Sequence, residues 1–172
     1  MRSRTLWKFA SKIKSLGTPR IAIVDDEEVY FTPNMLALAS AAGFGEIERH
    51  FRVDAALLAR WIEDPPDIVI LDIKGIAEKD VAKDGVGIAE QLQRQTPAYI
   101  VVTSAHQYHL KNVHRSFDYV IEARLLTGVD FIQELDSIVA DFVKRRRRFV
   151  RGAVFRAGRY LMVRASVPEL PS

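Results

Sequence analysis

The chain has 172 residues and a formal net charge of +3, with 48% hydrophobic and 27% charged residues. This length and composition predict one globular domain of roughly 100–150 residues that carries extensions. The sequence lacks cysteine, which excludes disulfides, iron–sulfur clusters and thiolate zinc sites. Its longest apolar runs are far shorter than the roughly 20 residues that span a bilayer, and lysines interrupt the N-terminal segment, which therefore does not resemble a secretory signal. We expect a cytoplasmic protein.

The charges divide the chain into three parts. Residues 1–20 hold six Lys or Arg and no acid, and residues 144–172 hold nine Lys or Arg and one acid, whereas the residues between them carry a net charge of −11. We predict a basic N-terminal arm at 1–19, a central domain at 20–143 and a basic C-terminal arm at 144–172.

Short apolar runs alternate with helical patterns along the central domain. Arg20–Asp25 is a β-branched run typical of a strand buried on both faces, and residues 28–42 have helical spacing that stops at a glycine. Ile47–Phe51 is a weaker strand candidate. Asp54 is suited to cap a helix that ends before Pro65.

The second half of the domain repeats this alternation. Strands are predicted at Asp67–Asp72, Tyr99–Thr103 and Phe117–Ile121, helices at Gly85–Gln95, His106–Arg115 and Val129–Val143, and a charged loop at 73–84. Five strands separated by helical segments predict a parallel sheet that is covered on both faces and joined by right-handed crossovers.

Acidic and hydroxyl side chains follow three of the predicted strands. Asp25 and Asp26 come after the first strand, Asp72 ends the third, and Thr103 and Ser104 end the fourth. The carboxyl ends of parallel strands form the functional crevice of such a sheet, so we expect these side chains to meet there. Clustered carboxylates repel one another unless a hard cation joins them, and this donor set suits Mg²⁺. Taken singly, an Asp after a strand more often starts a turn or caps a helix.

The same segments resemble response-regulator receiver domains, the CheY-like domains of two-component systems. The resemblance rests on Ile23–Glu27, Ile68–Ile73, Asp84-Gly85, Ile100–Ala105 and Asp118–Val120, which follow one another in the family's order. It covers about residues 20–143. It implies an α/β, flavodoxin-like, doubly wound fold with a five-stranded parallel sheet of order 2-1-3-4-5.

The resemblance also implies roles for individual residues. Asp72 matches the phosphoacceptor, and Thr103 matches the hydroxyl residue that contacts the phosphoryl group. Asp25 and Asp26 match the acidic pair that holds Mg²⁺, which Asp72 and the backbone carbonyl of Lys74 would complete. The implied partners are a sensor histidine kinase or phosphotransfer protein and a downstream protein, and the implied module is not an enzyme.

This sequence departs from the family pattern in three places, one of which is Ala123 in place of the usual Pro. Glu122 stands where the family carries a Lys that pairs with the phosphate, and Arg124 and Lys74 are candidate substitutes. The loop 73–84 is longer than its family counterpart and lacks the usual Met-Pro. A solvated loop is the simpler interpretation of its charges, and a partner-binding loop is the alternative.

The two basic arms allow several interpretations. Both interleave apolar residues with Lys or Arg, as in Leu6–Leu16 and Phe149–Arg164, and a short hairpin around Gly158 is possible. We favour packing on the central domain or on a second copy in a homo-oligomer. Binding to an anionic membrane, which would make the protein peripheral to it, or to nucleic acid remains open.

Our leading hypothesis is an atypical, stand-alone response-regulator receiver that works in a phosphorelay. It would accept a phosphoryl group on Asp72 with Mg²⁺ and signal by protein–protein contact. One alternative is a receiver-like interaction module that no longer uses phosphate. Another is a regulator that binds nucleic acid or membrane through its basic arms.

Overall fold

Five short segments form the sheet at the centre of the fold. The strands are β1 Ile21–Val24, β2 Ile47–His50, β3 Ile68–Asp72, β4 Tyr99–Ser104 and β5 Tyr119–Glu122. Their order is β2-β1-β3-β4-β5, and every neighbouring pair is parallel. The predicted α/β fold class and strand order are therefore confirmed. This computed structural model describes residues 18–45, 47–104, 117–122 and 128–165, with side chains in the last segment described as far as residue 146.

Polar caps set where the helices begin. The helices are α1 Pro33–Ala39, α2 Ala55–Glu63, α3 Gly85–Gln95 and α4 Gly128–Ala165. Thr32, Asp54 and Asp84 accept backbone N–H groups at the starts of α1, α2 and α3. The expectation of a helix from residue 28 is wrong, because Thr32 and Pro33 form the first capped turn and residues 28–30 are a turn. A π-type turn at Ser40–Phe44 follows α1.

The central strands β1, β3 and β4 are buried on both faces, whereas the edge strands β2 and β5 are mostly half-buried. Alternate strand residues join α2 and α3 in one apolar cluster, whose members include Ala22, Val24, Val69, Leu71, Ile100, Val102, Trp61 and Leu92. The intervening strand residues face the opposite side. Phe31 and Phe131 are fully buried and meet edge to face, with ring centroids 5.4 Å apart.

The last helix extends well beyond its predicted end at Val143. It continues through the basic run to Ala165, so the suggested hairpin around Gly158 is wrong. The backbone there can stay helical because the sequence has no proline between Pro97 and Pro168. The apolar residues of this segment also recur at helical as well as at alternating spacing. Two compact units are defined, residues 1–133 and 134–172, and the boundary falls within this helix.

The loop 73–84 is anchored to the fold. Ile76 is fully buried, and its carbonyl accepts the backbone N–H of Val53 at 2.7 Å. Ala77 forms a parallel bridge with Val53, and the N–H of Glu78 donates to the Val53 carbonyl at 3.3 Å. Lys74, Glu78, Lys79, Asp80 and Lys83 are all exposed, as the interpretation of solvated charges expects. The backbone of the first half of the loop is nevertheless fixed to the core by Ile76.

Several sequence predictions fall outside the described residues. They are the N-terminal arm, the helix at His106–Arg115 and the residues around Arg124. Among the helices that are described, none is both long and apolar enough to cross a membrane.

The anchoring of the loop leads to a stability prediction. Ile76→Ala should lower the free energy of unfolding by about 2–5 kcal/mol, because it leaves a cavity in the core. Val29→Ala is the control, since Val29 is 70% exposed and its truncation should change the free energy by less than about 0.5 kcal/mol. Urea unfolding followed by circular dichroism measures both. Equal, small effects would show that Ile76 is not an anchor.

Candidate functional site

The parallel register brings three of the predicted site residues into one row across β1, β3 and β4. Asp72 of β3 pairs with Thr103 of β4, and Val24 of β1 pairs with Leu71 of β3. Asp25 follows Val24 directly, so it reaches the same carboxyl edge beside Asp72. The strand ends therefore gather these side chains as the sheet topology predicts.

Asp25 is the most deeply buried carboxyl group of this edge. Asp25 is only 2% exposed, and its Oδ1 accepts a hydrogen bond from the backbone N–H of Glu27 at 2.8 Å. The pKa of Asp25 is raised to about 7, chiefly by burial and also by the charges of Asp72 and Asp26, although the hydrogen bond from the Glu27 backbone lowers it. A negative charge at Asp25 is therefore costly unless a cation balances it.

Asp72 lies in a similar but less enclosed environment. Burial raises the pKa of Asp72 to about 6, and the nearby charges of Asp26 and Glu27 act in the same direction. Backbone N–H groups of Ile73 and Lys74 oppose this shift, and that of Lys74 donates to Asp72 Oδ2 at 3.3 Å. Asp72 is thus partly exposed, and its Oδ2 is held by the backbone of the loop 73–84 through the Lys74 N–H.

Asp26 is held against the backbone of Gly75. A Cβ added at Gly75 would lie 1.9 Å from Asp26 Oδ2, and the φ angle of +74° is one that residues with side chains rarely adopt. Only glycine therefore leaves room for the Asp26 carboxylate. The sequence analysis missed Gly75, although a glycine three residues after a strand-ending Asp is a signal of close backbone approach.

Thr103 places a buried hydroxyl in the same row. The residue is fully buried, and among the described residues Oγ1 has no hydrogen-bond partner. Leaving a buried hydroxyl unpaired costs roughly 1–3 kcal/mol, so Thr103 is a candidate for contact with a bound ligand.

Glu122 ends β5 beside this row. It pairs in register with Ser104, one residue beyond Thr103, and its side chain is half-buried. Glu122 is therefore an acid at the position where the family resemblance predicts a Lys. Of the two candidate substitutes, Lys74 is exposed and Arg124 lies outside the described residues.

A cation that the sequence analysis missed lies on the neighbouring edge strand. Arg49 of β2 donates from Nη2 to the Glu27 carbonyl at 3.2 Å, and its guanidinium carbon lies 4.7 Å from the centre of the Phe51 ring. Its charge lowers the pKa of Asp25. The parallel pairing of β1 with β2 is what brings it there, and no local sequence signal marks it.

The donor chemistry of this edge fits a hard divalent cation. Burial and neighbouring carboxylates raise the pKa values of Asp25 and Asp72, the Gly75 backbone makes space for the Asp26 carboxylate, and the buried hydroxyl of Thr103 lacks a partner among the described residues. In their present positions no three acidic or imidazole side chains of the described residues form a complete set of metal ligands. A cation site here would therefore rely on backbone oxygen and water as well as on carboxylates.

The fold is shared with solved receiver domains. No protein-family model matches the sequence, and no curated protein matches it either. A crystal structure of NtrX from Brucella abortus in complex with ATP superposes with a TM-score of 0.59 at 23% identity, over 76% of this chain and 29% of the NtrX chain. The receiver domain of the same protein gives 0.53 at 22% identity, over 70% of this chain and 98% of its own.

A DNA-binding response regulator of the LuxR family from Staphylococcus aureus gives a similar result. Its TM-score is 0.54 at 15% identity, over 70% of this chain and 98% of that structure. The chain spans less than a third of the NtrX chain but nearly all of the isolated receiver domain. The central part of this protein therefore has the receiver fold of two-component response regulators, which confirms the fold expected from the sequence resemblance.

The raised pKa values lead to a prediction about stability and pH. The folded-state pKa of Asp25 is about 7, above its ordinary value of 3.8, so the folded protein favours protonated Asp25. The contribution of Asp25 to the free energy of unfolding is therefore highest below pH 4, and it is lost as the pH rises through 7. Asp25→Asn should remove this loss. Without divalent cations, the variant should gain stability relative to the wild type, of the order of a few kcal/mol, between pH 4 and pH 8.

Chemical denaturation across this pH range measures the difference. Asp80→Asn, which removes an exposed carboxylate from the loop 73–84, controls for the loss of one negative charge. A stability difference between Asp25→Asn and wild type that stays constant with pH would contradict the assignment.

Proposed function

We propose that this protein is an atypical receiver in phosphorelay signalling that accepts a phosphoryl group on Asp72. The observation that carries the proposal is the row of Asp25, Asp72 and Thr103 at the carboxyl edge of a receiver-type sheet. Receiver domains act as signalling modules, and we propose the same class of activity here rather than turnover of a substrate.

The proposed reaction is an in-line transfer to a carboxylate. One oxygen of Asp72 forms a bond to phosphorus while the bond from phosphorus to the donor's leaving group breaks. The leaving group keeps the bonding electron pair, and the product is an acyl phosphate on Asp72. Partial exposure of Asp72 gives a donor access, and the backbone N–H of Lys74 holds the carboxylate during the approach.

The neighbouring groups have separate roles in this proposal. Asp25, Asp26, Asp72 and the Lys74 carbonyl would hold Mg²⁺, which supplies charge neutralisation at the phosphoryl oxygens when bound. The unpaired hydroxyl of Thr103 would donate a hydrogen bond to a phosphoryl oxygen. Satisfying that buried hydroxyl would favour one conformation of the edge over another, which is how phosphorylation would shift a population.

The partners follow from the same chemistry. We propose a sensor histidine kinase or a phosphotransfer protein as the donor, because a phosphohistidine is a high-energy donor suited to a carboxylate acceptor. A downstream protein would then read the phosphorylated edge. We also propose that the protein acts in the cytoplasm.

A second function is favoured by one specific observation, the acid at the end of β5. Glu122 adds negative charge beside Thr103, at the position where the family resemblance leads to an expected Lys. Two unit charges about 4 Å apart repel by roughly 4 kcal/mol at an effective dielectric of about 20. The second candidate is therefore a receiver-like interaction module that binds its partner without phosphate.

Labelling with a small phosphoryl donor separates the two candidates. Acetyl phosphate with Mg²⁺ should add one phosphoryl group to the wild type, and Asp72→Asn should abolish it, because an amide cannot replace the attacking carboxylate. Asp80→Asn, in the loop that follows Asp72, should label like the wild type. Intact-protein mass spectrometry measures the product, and labelling of Asp72→Asn would refute the assignment.

Glu122→Lys extends the same experiment. Replacing the acid by a cation should raise the labelled fraction at a fixed donor concentration, because the phosphoryl charge is then attracted instead of repelled. If Mg²⁺ binds but neither the wild type nor Glu122→Lys is labelled, the phosphate-independent module is the better description.

The contact between Asp26 and Gly75 leads to a prediction about cation binding. Gly75→Ala should weaken Mg²⁺ binding by about tenfold or more, since its Cβ displaces the Asp26 carboxylate. Gly43→Ala is the matched control, because Gly43 also has a positive φ of +95° but a Cβ there meets nothing within 4 Å. Both variants carry similar backbone strain, so only a difference between them reports on Asp26.

Isothermal calorimetry with Mg²⁺ measures the two affinities. We expect modest affinity in the wild type, because an open site of carboxylates and water is not a closed cage. Asp26→Ala should weaken binding in the same way as Gly75→Ala. Equal affinities in Gly75→Ala and Gly43→Ala would show that Asp26 does not hold the cation.

A further inference from the structure

The second half of α4, residues 144–165, is a continuous helix of one charge sign. Asp141 is the last acidic residue before the helix ends, and nine Lys or Arg follow it within the helix. Arg145 donates to Asp141 at 2.8 Å, one turn back. Beyond that pair the helix contains no acid, and basic residues spaced by four, such as Lys144 and Arg148, repel one another. An anionic surface would relieve this repulsion.

The helical register sorts the same residues into two faces. At 3.6 residues per turn, one arc of about 140° collects the following apolar residues: Phe149, Val150, Ala153, Val154, Ala157, Tyr160 and Leu161. The remaining arc also contains Phe155, Met162 and Val163, but most of the basic residues lie on it: Lys144, Arg145, Arg147, Arg148, Arg151, Arg156 and Arg159. Between Phe149 and Leu161 no charged residue interrupts the apolar face. The exceptions on that face, Arg146 and Arg164, stand at its two ends.

We infer that residues 144–165 of α4 form a binding surface for an anionic lipid bilayer and lie in the plane of its headgroups. A helix with a broad apolar face and a strongly basic opposite face is suited to this position. The apolar residues enter the boundary between headgroups and acyl chains, and the basic residues at the rim of that face reach the lipid phosphates. This inference is independent of the phosphoryl-transfer proposal.

Charge and geometry disfavour two other binding partners for this helix, a second copy of the chain and a nucleic acid. Two copies of this helix side by side would bring nine positive charges of each chain together, with no acid to pair with them. The apolar arc is also wider than the narrow seam of a two-stranded coiled coil. A nucleic acid would engage the basic face through its phosphates but would leave the apolar face, with Phe149 and Tyr160, in water.

The test uses the full chain and lipid vesicles of two compositions. Phosphatidylcholine vesicles with about one third phosphatidylglycerol should bind the wild type, and pure phosphatidylcholine vesicles should bind it far less. Leu161→Gln should weaken binding to the anionic vesicles by about tenfold, because it removes a large apolar side chain from the buried face. Arg148→Gln should weaken it by about fivefold, the effect of one basic residue near a charged surface.

Met162→Gln is the matched control for Leu161→Gln. The two residues are adjacent, the chemical change is the same, and Leu, Met and Gln have similar helix propensity, but Met162 falls on the basic face. It should change vesicle binding less than about twofold. Far-ultraviolet circular dichroism checks that both variants keep the helix content of the wild type.

Three results would overturn the inference. The first is absence of binding to anionic vesicles, or equal loss in Leu161→Gln and Met162→Gln. The second is a multimeric mass in solution that Leu161→Gln reduces to that of a monomer, which would assign the apolar face to a second copy. The third is binding to duplex DNA that falls steeply with salt and is unaffected by Leu161→Gln, without binding to vesicles.

Discussion

The whole candidate site depends on the pairing of β1 with β3 and of β3 with β4 in parallel register. This pairing forces the carboxyl group of Asp25 and that of Asp72 into neighbouring positions beside the buried hydroxyl of Thr103. Burial is the main reason why the pKa values of Asp25 and Asp72 are raised to about 7 and about 6, and neighbouring carboxylates act in the same direction. The core residues that hold the three strands in register thus maintain an electrostatically strained edge, and such strain is typical of functional sites.

The surrounding backbone is arranged to tolerate this excess of negative charge. Gly75 leaves space for the Asp26 carboxylate. The buried Ile76, whose carbonyl accepts the Val53 backbone N–H, and the bridge between Ala77 and Val53 hold the backbone next to that glycine. Arg49 supplies a positive charge from the edge strand. Glu122 works in the opposite direction, because it adds an acid to the end of β5. The end of β5 is therefore more negative than it would be with a Lys at that position.

The chain separates two kinds of charge along its sequence. The receiver-type domain is acidic and has Asp25, Asp26 and Asp72 together at the carboxyl edge of its sheet. The second half of α4, in contrast, is basic and carries an apolar face. A signalling module with both features would receive a phosphoryl group on one part while another part binds a lipid surface. The two proposed activities rest on different residues, so we expect that each can be removed by substitution without direct damage to the other.

The sequence by itself determined the strands, their parallel order and the residues at their carboxyl ends. Buried β-branched runs and polar caps are local signals, and the order of the receiver-like motifs identified the topology. Tertiary structure alone decided what depends on distant segments: the contact of Asp26 with Gly75, the approach of Arg49 to Asp25, and the anchoring of the loop 73–84 by Val53. The end of α4 was also missed, because the periodicity of Val154–Val163 fits both a strand and a helix, and only the continuous backbone distinguishes them.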